Sequence, residues 1–516
     1  MLIMLCIIFI VTGPLLSLLF LIINEVSGSG LKEITGFLSG ERKVTLLIRT
    51  IIYSAETAFF CGLISVLAGS FLYCVKNSLI KKIKWIFLFS LPIPPYIHAL
   101  VWWKMFFYIN KFLTSVGIQE LATRGYGISL FTQIMAYLPI AMVFVMISFE
   151  TVEKRLVEQS KMLIPEKNVF IRTVLRLSLP GILFGMGIVY ILTFNDYSIS
   201  SIFSENLYSL ETFVVFSSTN NPGLASISSL PGMFITLVLM TGILVFIKKA
   251  QYKPELNFKK EKTELKLKPL IHITGIICFI IMLLQLFIPV TVLIINSVDL
   301  RGIFYSIETS LSEIVHSVVI GIITALLAVF SGFFIAYCIK EKKFIKIVIA
   351  FSLILFTLPG SLLGIGMIYF WNNLLMSSLY SSILMPVFAS FIRFIPVAVV
   401  VFYASFGRVD AKLTEAGRII TGRKIKLFSE IIIPLHFSSF IIAFALEFIF
   451  TIGELGATVL VVPPGINTLT IKIYNFLHYG SSDVVYGLCL FIILLCFLVV
   501  STVSLILKKM ERKRYD

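Results

Sequence analysis

The chain lacks the short signatures by which enzymes are usually read. No H-E-x-x-H run and no clustered dyad occurs, so a membrane-embedded enzyme has no constellation to work with. No C-x-x-C pair occurs either. The seven cysteines, Cys6, Cys61, Cys74, Cys278, Cys338, Cys489 and Cys496, are odd in number and all lie in apolar segments. They read as buried small hydrophobes, not as a disulfide framework or metal site. His98, His316, His436 and His478 show no ligand spacing and read as isolated histidines at span ends. No metal and no cofactor is expected. The ten-residue alternation of a transmembrane β-barrel is missing too.

What the chain has is apolar length. Of its 516 residues, 58% are hydrophobic, and the mean hydropathy is +1.00. Apolar runs of about 20 residues recur, each able to cross a hydrocarbon core of roughly 30 Å as a helix. Only self-satisfied helices or closed barrels cross lipid, so the expected fold is an all-α polytopic membrane protein with about twelve transmembrane helices. The spans fall at 2–24, 50–75, 85–104, 127–149, 180–202 and 230–247, then at 270–296, 314–339, 347–372, 383–406, 435–457 and 484–507. The first run has no basic n-region and no A-x-A cleavage site, so it reads as a retained span.

The net charge is +16. It is spread over short loops between spans, as the positive-inside rule expects, and implies no nucleic-acid partner. The basic loops include Lys76–Lys84, Glu150–Ser178, Lys340–Lys346, Gly407–Ile433 and the tail "KKMERKRYD". They alternate with loops poorer in Lys and Arg, which places both termini in the cytoplasm.

The chain repeats itself. "YCVK" at Tyr73 is answered by "YCIK" at Tyr337, and "SLPIPP" at Ser90 by "TLPGSL" at Thr357. "AYLP" at Ala136 is answered by "RFIP" at Arg393, and "FNDYS" at Phe194 by "IGELG" at Ile452. Four matches in the same order, offset by roughly 255 to 267 residues, define two parallel six-helix repeats. The division is 1–247, a lysine-rich linker over 248–269, and 270–516. Such repeats place a substrate route at their interface, where broken helices sit. Pro92 and Pro359, inside the third and ninth spans, fit broken or kinked helices along that route.

One stretch, "EAGRIITGRKIKLFSEIIIPL" from Glu415, comes close to a phosphate-binding loop. A P-loop needs Lys directly after its second glycine, then Ser or Thr, and a strand before it. Here Arg423 follows Gly422, Ile425 stands in place of the hydroxyl, and a membrane span precedes. ATP binding is excluded there. Instead the pattern is Glu415 followed by the small Ala416 and Gly417, a turn at Gly422, a basic segment, and Pro434 opening the next span. Small residues permit close helix approach, Gly422 a sharp turn, and Pro434 suits a first helical turn. This reads as a docking element for a cytoplasmic partner.

The stretch resembles the EAA loop of type I binding-protein-dependent ABC importer permeases. A weaker copy, Glu158 to Pro180, has Gln159 and Ser160 at the alanine positions and Ile164 for the glycine, with three more residues before the proline. The resemblance covers essentially the whole chain and is to fused two-half permeases such as the ferric-iron and thiamine importers. The stretch Gly453–Gly480 is most similar to the iron type. The resemblance implies a non-enzymatic permease in a bacterial plasma membrane. It implies docking of two copies of an ATP-binding subunit on the two loops, and an extracytoplasmic substrate-binding protein on the far side. The implied substrate is ferric iron; thiamine or an aminophosphonate, or a secondary transporter of similar repeat layout, are the alternatives.

Two repeat-related acids, Asp196 and Glu454, stand near the outer ends of the fifth and eleventh spans and are candidates for lining the path. A charge at mid-bilayer costs roughly 2.5–3.5 kcal/mol on insertion scales, so it normally faces a cavity or a partner. Glu447 and Arg393, also within spans, are expected to pair with each other. The aromatic run "YIHALVWWKMFFY" from Tyr96 reads as an interfacial belt.

Overall fold

The computed structural model describes residues 2–74, 90–91, 93–249, 268–297, 300–340, 352, 354–372, 377–408, 411–479 and 482–512. Helices make up nearly all of these residues, and no strand occurs among them. The protein is an all-α polytopic membrane protein. Among the described residues ten helices are long and apolar enough to cross a membrane. They are Ile7–Gly30, Glu41–Cys74, Tyr126–Glu150, Glu166–Asn195, Pro222–Ile247, Ile273–Asn296, Leu311–Cys338, Leu384–Gly407, Leu427–Ile452 and Val484–Met510.

Within the expected third and ninth spans, parts of which lie outside the described residues, helices begin at prolines. Pro94 caps a helix that begins at Pro95 and runs to Ser115. This helix takes in Lys104 and Lys111; residues 85–89 of the expected span lie outside the described residues. Pro359, in extended backbone, caps the short apolar helix Gly360–Trp371. A proline cannot donate into the turn before it, so it starts helices better than it continues them. Pro92 lies outside the described residues, as does most of the 248–269 linker.

Two compact units form, and they are not the two sequence halves. One comprises Met1–Ile23, Ser310–Lys472 and Leu494–Asp516. The other comprises Asn24–Thr309 and Ile473–Ile493. The start of each sequence half thus packs with the later helices of the other half.

In the first unit the N-terminal helix is held through small residues. Ser17 Oγ donates to Gly366 O at 2.9 Å. A side chain on Gly366 would run into Leu18 and the Pro14 carbonyl, and one on Gly13 into the Phe370 ring. Such close backbone approach is how helices associate in lipid, where no hydrophobic force drives them together. In the second unit the Ile273–Asn296 segment is fastened by a buried amide. Gln285 Nε2 donates to Met135 O at 2.8 Å, and Ser90 Oγ donates to Gln285 Oε1 at 3.1 Å. Gln285 sits in a π-helical turn, Leu283–Phe287, which turns it off the regular helical stripe.

Candidate partner-docking site

The loop after the Tyr126–Glu150 span folds into a short helix, Lys154–Leu163. Its buried residue is Val157, which enters a cluster at the base of the spans with Cys74, Val145, Phe149, Val169, Phe170, Val174 and Ile182. Glu158 and Gln159 are exposed. Lys154 Nζ lies 3.6 Å from Glu158 Oε1, an exposed pair that contributes little. Ser160 accepts a 3.0 Å hydrogen bond from the Thr173 hydroxyl, which ties the short helix to the chain returning toward the membrane. Ile164 ends the helix in extended backbone, at φ −140° and ψ 154°. The next residue, Pro165, disfavours a helical Ile164.

The corresponding loop of the second repeat folds into the helix Ala411–Thr421. Glu415 and Ala416 are exposed and Gly417 is buried. A side chain on Gly417 would collide with Ile431 and press on Leu427. The small residue does permit close approach, and what approaches is the protein's own returning segment. Gly422 then reverses the chain in the left-handed region, at φ +58°, where glycine is at no disadvantage.

Both loops return through a π-helical turn, Phe170–Leu175 in one and Leu427–Ile432 in the other. Each begins twelve residues after its glutamate. The prolines differ in place: Pro434 is exposed in the first turn of the Ile433–Ile452 helix, whereas Pro180 is buried inside Arg176–Asn195. Neither Glu158 nor Glu415 stands in the first turn of its helix, so helix-dipole stabilisation, which fades beyond that turn, does not account for them.

Sequence reasoning missed the most exposed feature of this site. Met162 and Leu163 are 87% and 83% exposed, and Ile419 and Ile420 are 84% and 82% exposed. Each doublet follows its glutamate by four and five residues. Ile425, at 84%, adjoins the second. All five lie outside the spans and among basic residues: Lys154, Arg155 and Lys161 in one loop, Arg418 and Arg423 in the other. Covering one such side chain returns about 1.5–3 kcal/mol. The sequence shows an apolar doublet at the same register in both loops, but nothing in it marks which way these side chains point.

The acids within and beside the spans are already engaged. Asp196 caps the turn after Asn195, accepting from Ser198 N at 3.0 Å, Ser198 Oγ at 2.7 Å and Gln133 Nε2 at 3.1 Å. Glu454 is buried and accepts from Arg393 Nη1 at 2.7 Å, Ala457 N at 2.8 Å and Thr458 N at 2.9 Å. The expected Arg393–Glu447 pair does not form. Gly360 and Gly456 flank the Arg393 guanidinium so closely that a side chain on either would collide with it, and this leaves the path to Glu454 open. Glu447 instead accepts the Ala398 N–H at 3.0 Å, two residues beyond Pro396, which interrupts the ladder of the Leu384–Arg408 helix. Its other oxygen is buried with no hydrogen-bond partner among the described residues. His436 is not isolated: its Nδ1 lies 2.7 Å from Ser405 Oγ. Among the described residues no group of three or more His, Cys, Asp or Glu side chains is placed to hold a metal ion.

No family model matches this chain, and no curated protein matches it.

Proposed function

We propose that the protein is the membrane-spanning subunit of an ATP-driven importer, with an ATPase subunit docking on each of the two basic loops. The observation that carries this reading is the pair of apolar doublets, Met162–Leu163 and Ile419–Ile420, exposed at one register in loops outside the membrane-crossing helices. Exposed apolar side chains clustered in a polar surround mark a surface meant to be covered. Two equivalent surfaces ask for two copies of one partner. Hydrolysis belongs to that partner, and this chain converts the partner's closure into movement of the helices that leave each loop. The loops then face the cytoplasm, and the chain sits in a bacterial plasma membrane with both termini inside.

For the substrate we propose ferric iron, handed over by an external binding protein. That choice rests on the likeness of Gly453–Gly480 to iron-type permeases. The acids add nothing to it, because Asp196 and Glu454 are satisfied by the chain's own groups.

The test is uptake of labelled ferric iron, with thiamine alongside, into cells expressing this chain with its cognate ATPase and binding protein. Glu415→Lys is expected to abolish uptake at normal protein level. Uptake unaffected by a hydrolysis-dead ATPase would assign the chain to secondary transport, and ATP-dependent thiamine uptake would replace the substrate alone.

A further inference from the structure

The Glu166–Asn195 helix carries an open groove of about 550 Å³ lined by Ile171, Arg172, Leu175, Arg176 and Leu179. We propose that this groove binds an anionic phospholipid. Arg172 and Arg176 hold the phosphate, and an acyl chain lies along Ile171, Leu175 and Leu179.

Three observations carry the assignment. The first is charge. Arg172 and Arg176 are exposed, and neither has a carboxylate partner among the described residues. A guanidinium presents a planar fork that bonds two phosphate oxygens at once. The second is the apolar strip. Ile171 and Leu179 are 47% and 42% exposed, whereas Phe170 and Val174 of the same stretch are buried in the base cluster. Ile171, Leu175 and Leu179 recur every four residues and so lie along one face. Two unpaired cations beside such a strip fit an amphiphile better than a soluble anion. The third is depth. The groove occupies the first turns of a membrane-crossing helix, on its basic-loop side, where basic pockets meet lipid head groups.

The site is one-sided. In the second repeat the positions of the two arginines are held by Ser429 and Ile433, and those of the strip by Phe428, Ile432 and His436. No cation stands there. Thr173, next to Arg172, makes the hydrogen bond to Ser160 that fastens the first short helix, so a lipid bound here sits beside that clasp. The assignment does not depend on the importer reading.

The test uses the full chain, purified and examined by native mass spectrometry with phosphatidylglycerol or phosphatidylcholine added. The wild type is expected to retain one phosphatidylglycerol in preference to phosphatidylcholine. Arg172→Gln with Arg176→Gln is expected to weaken that retention about thirty-fold, from the loss of two charges at the surface. Arg172→Lys with Arg176→Lys, which keeps the charge, should recover part of it and guards against misfolding of the first variant. A control, Lys508→Gln with Lys509→Gln, should leave it unchanged. Equal retention by the wild type and the glutamine variant would overturn the proposal, as would equal retention of the two lipids or an equal loss in the control. Saturation of the groove by inorganic phosphate, with no added retention of lipid, would make it a soluble-anion site and also overturn it.

Discussion

The chain turns after Glu415 on Gly422 in left-handed backbone, and after Glu158 on Ile164 and Pro165 in extended backbone. The clasps differ as well. Gly417 lies against Leu427 and Ile431, while Ser160 is hydrogen-bonded to Thr173. The bases beneath differ again. In the second repeat the Phe333 ring lies 5.2 Å, 5.4 Å, 5.5 Å and 4.9 Å from those of Phe402, Phe406, Phe428 and Phe440. In the first, aliphatic residues predominate around Phe149 and Phe170. Yet both loops deliver a glutamate, an apolar doublet and a π-helical turn in the same register. The comparison teaches that what is presented outward is held fixed, whereas the means of holding it varies.

The largest effect should come from the presented surface itself. Ile419→Glu with Ile420→Glu, and separately Met162→Glu with Leu163→Glu, are each expected to reduce partner co-purification and uptake by a hundredfold or more. This follows from losing about 1.5–3 kcal/mol per side chain. Thermal stability should stay unchanged, because these residues are exposed in the free chain. A full loss from one doublet and none from the other would break the equivalence of the two loops.

Gly417→Val should be next. The added carbons meet Ile431 and Leu427, and overpacking of this kind costs about 1–3 kcal/mol. The expected outcome is easier proteolysis of the second loop. The comparable change Ser160→Val in the first loop removes a hydrogen bond worth about 0.5–1.5 kcal/mol. Gly422→Ala should cost about 1 kcal/mol, because the residue is held at positive φ. Pro165→Ala, where no such conformation is needed, should cost less than half of that. The smallest effect is expected from Lys154→Ala, which removes an exposed ion pair and should change stability by less than about 0.5 kcal/mol. Hydrogen exchange of the two short helices reads all five changes on one scale.

Much of the fold was legible because lipid leaves few options. Among the described residues ten of the apolar runs are helices of membrane-crossing length. Within the third and ninth runs the described residues show helices begun at Pro95 and just after Pro359, inside runs that composition alone treats as continuous. The loops were legible through glycine, proline and charge. The doublets were not, because Ile and Leu in a chain so rich in both carry no mark of where they point. The partner of Arg393 was misread for a related reason. Two acids lay at suitable depth, and the choice was made by the space beside Gly360 and Gly456 and by a proline that set Ala398 N–H toward Glu447.

The allegiance of the N-terminal helix has a consequence for synthesis. Ser17 and its partner Gly366 are 349 residues apart in the chain. At ordinary elongation rates the first helix is made roughly 20–70 s before the residues it packs against exist. It must spend that interval in the membrane with Gly13 and Ser17 uncovered. Segments made hundreds of residues later therefore complete the packing of the first, and a chain stopped before Gly366 should leave its opening helix open to capture by insertion factors and membrane proteases.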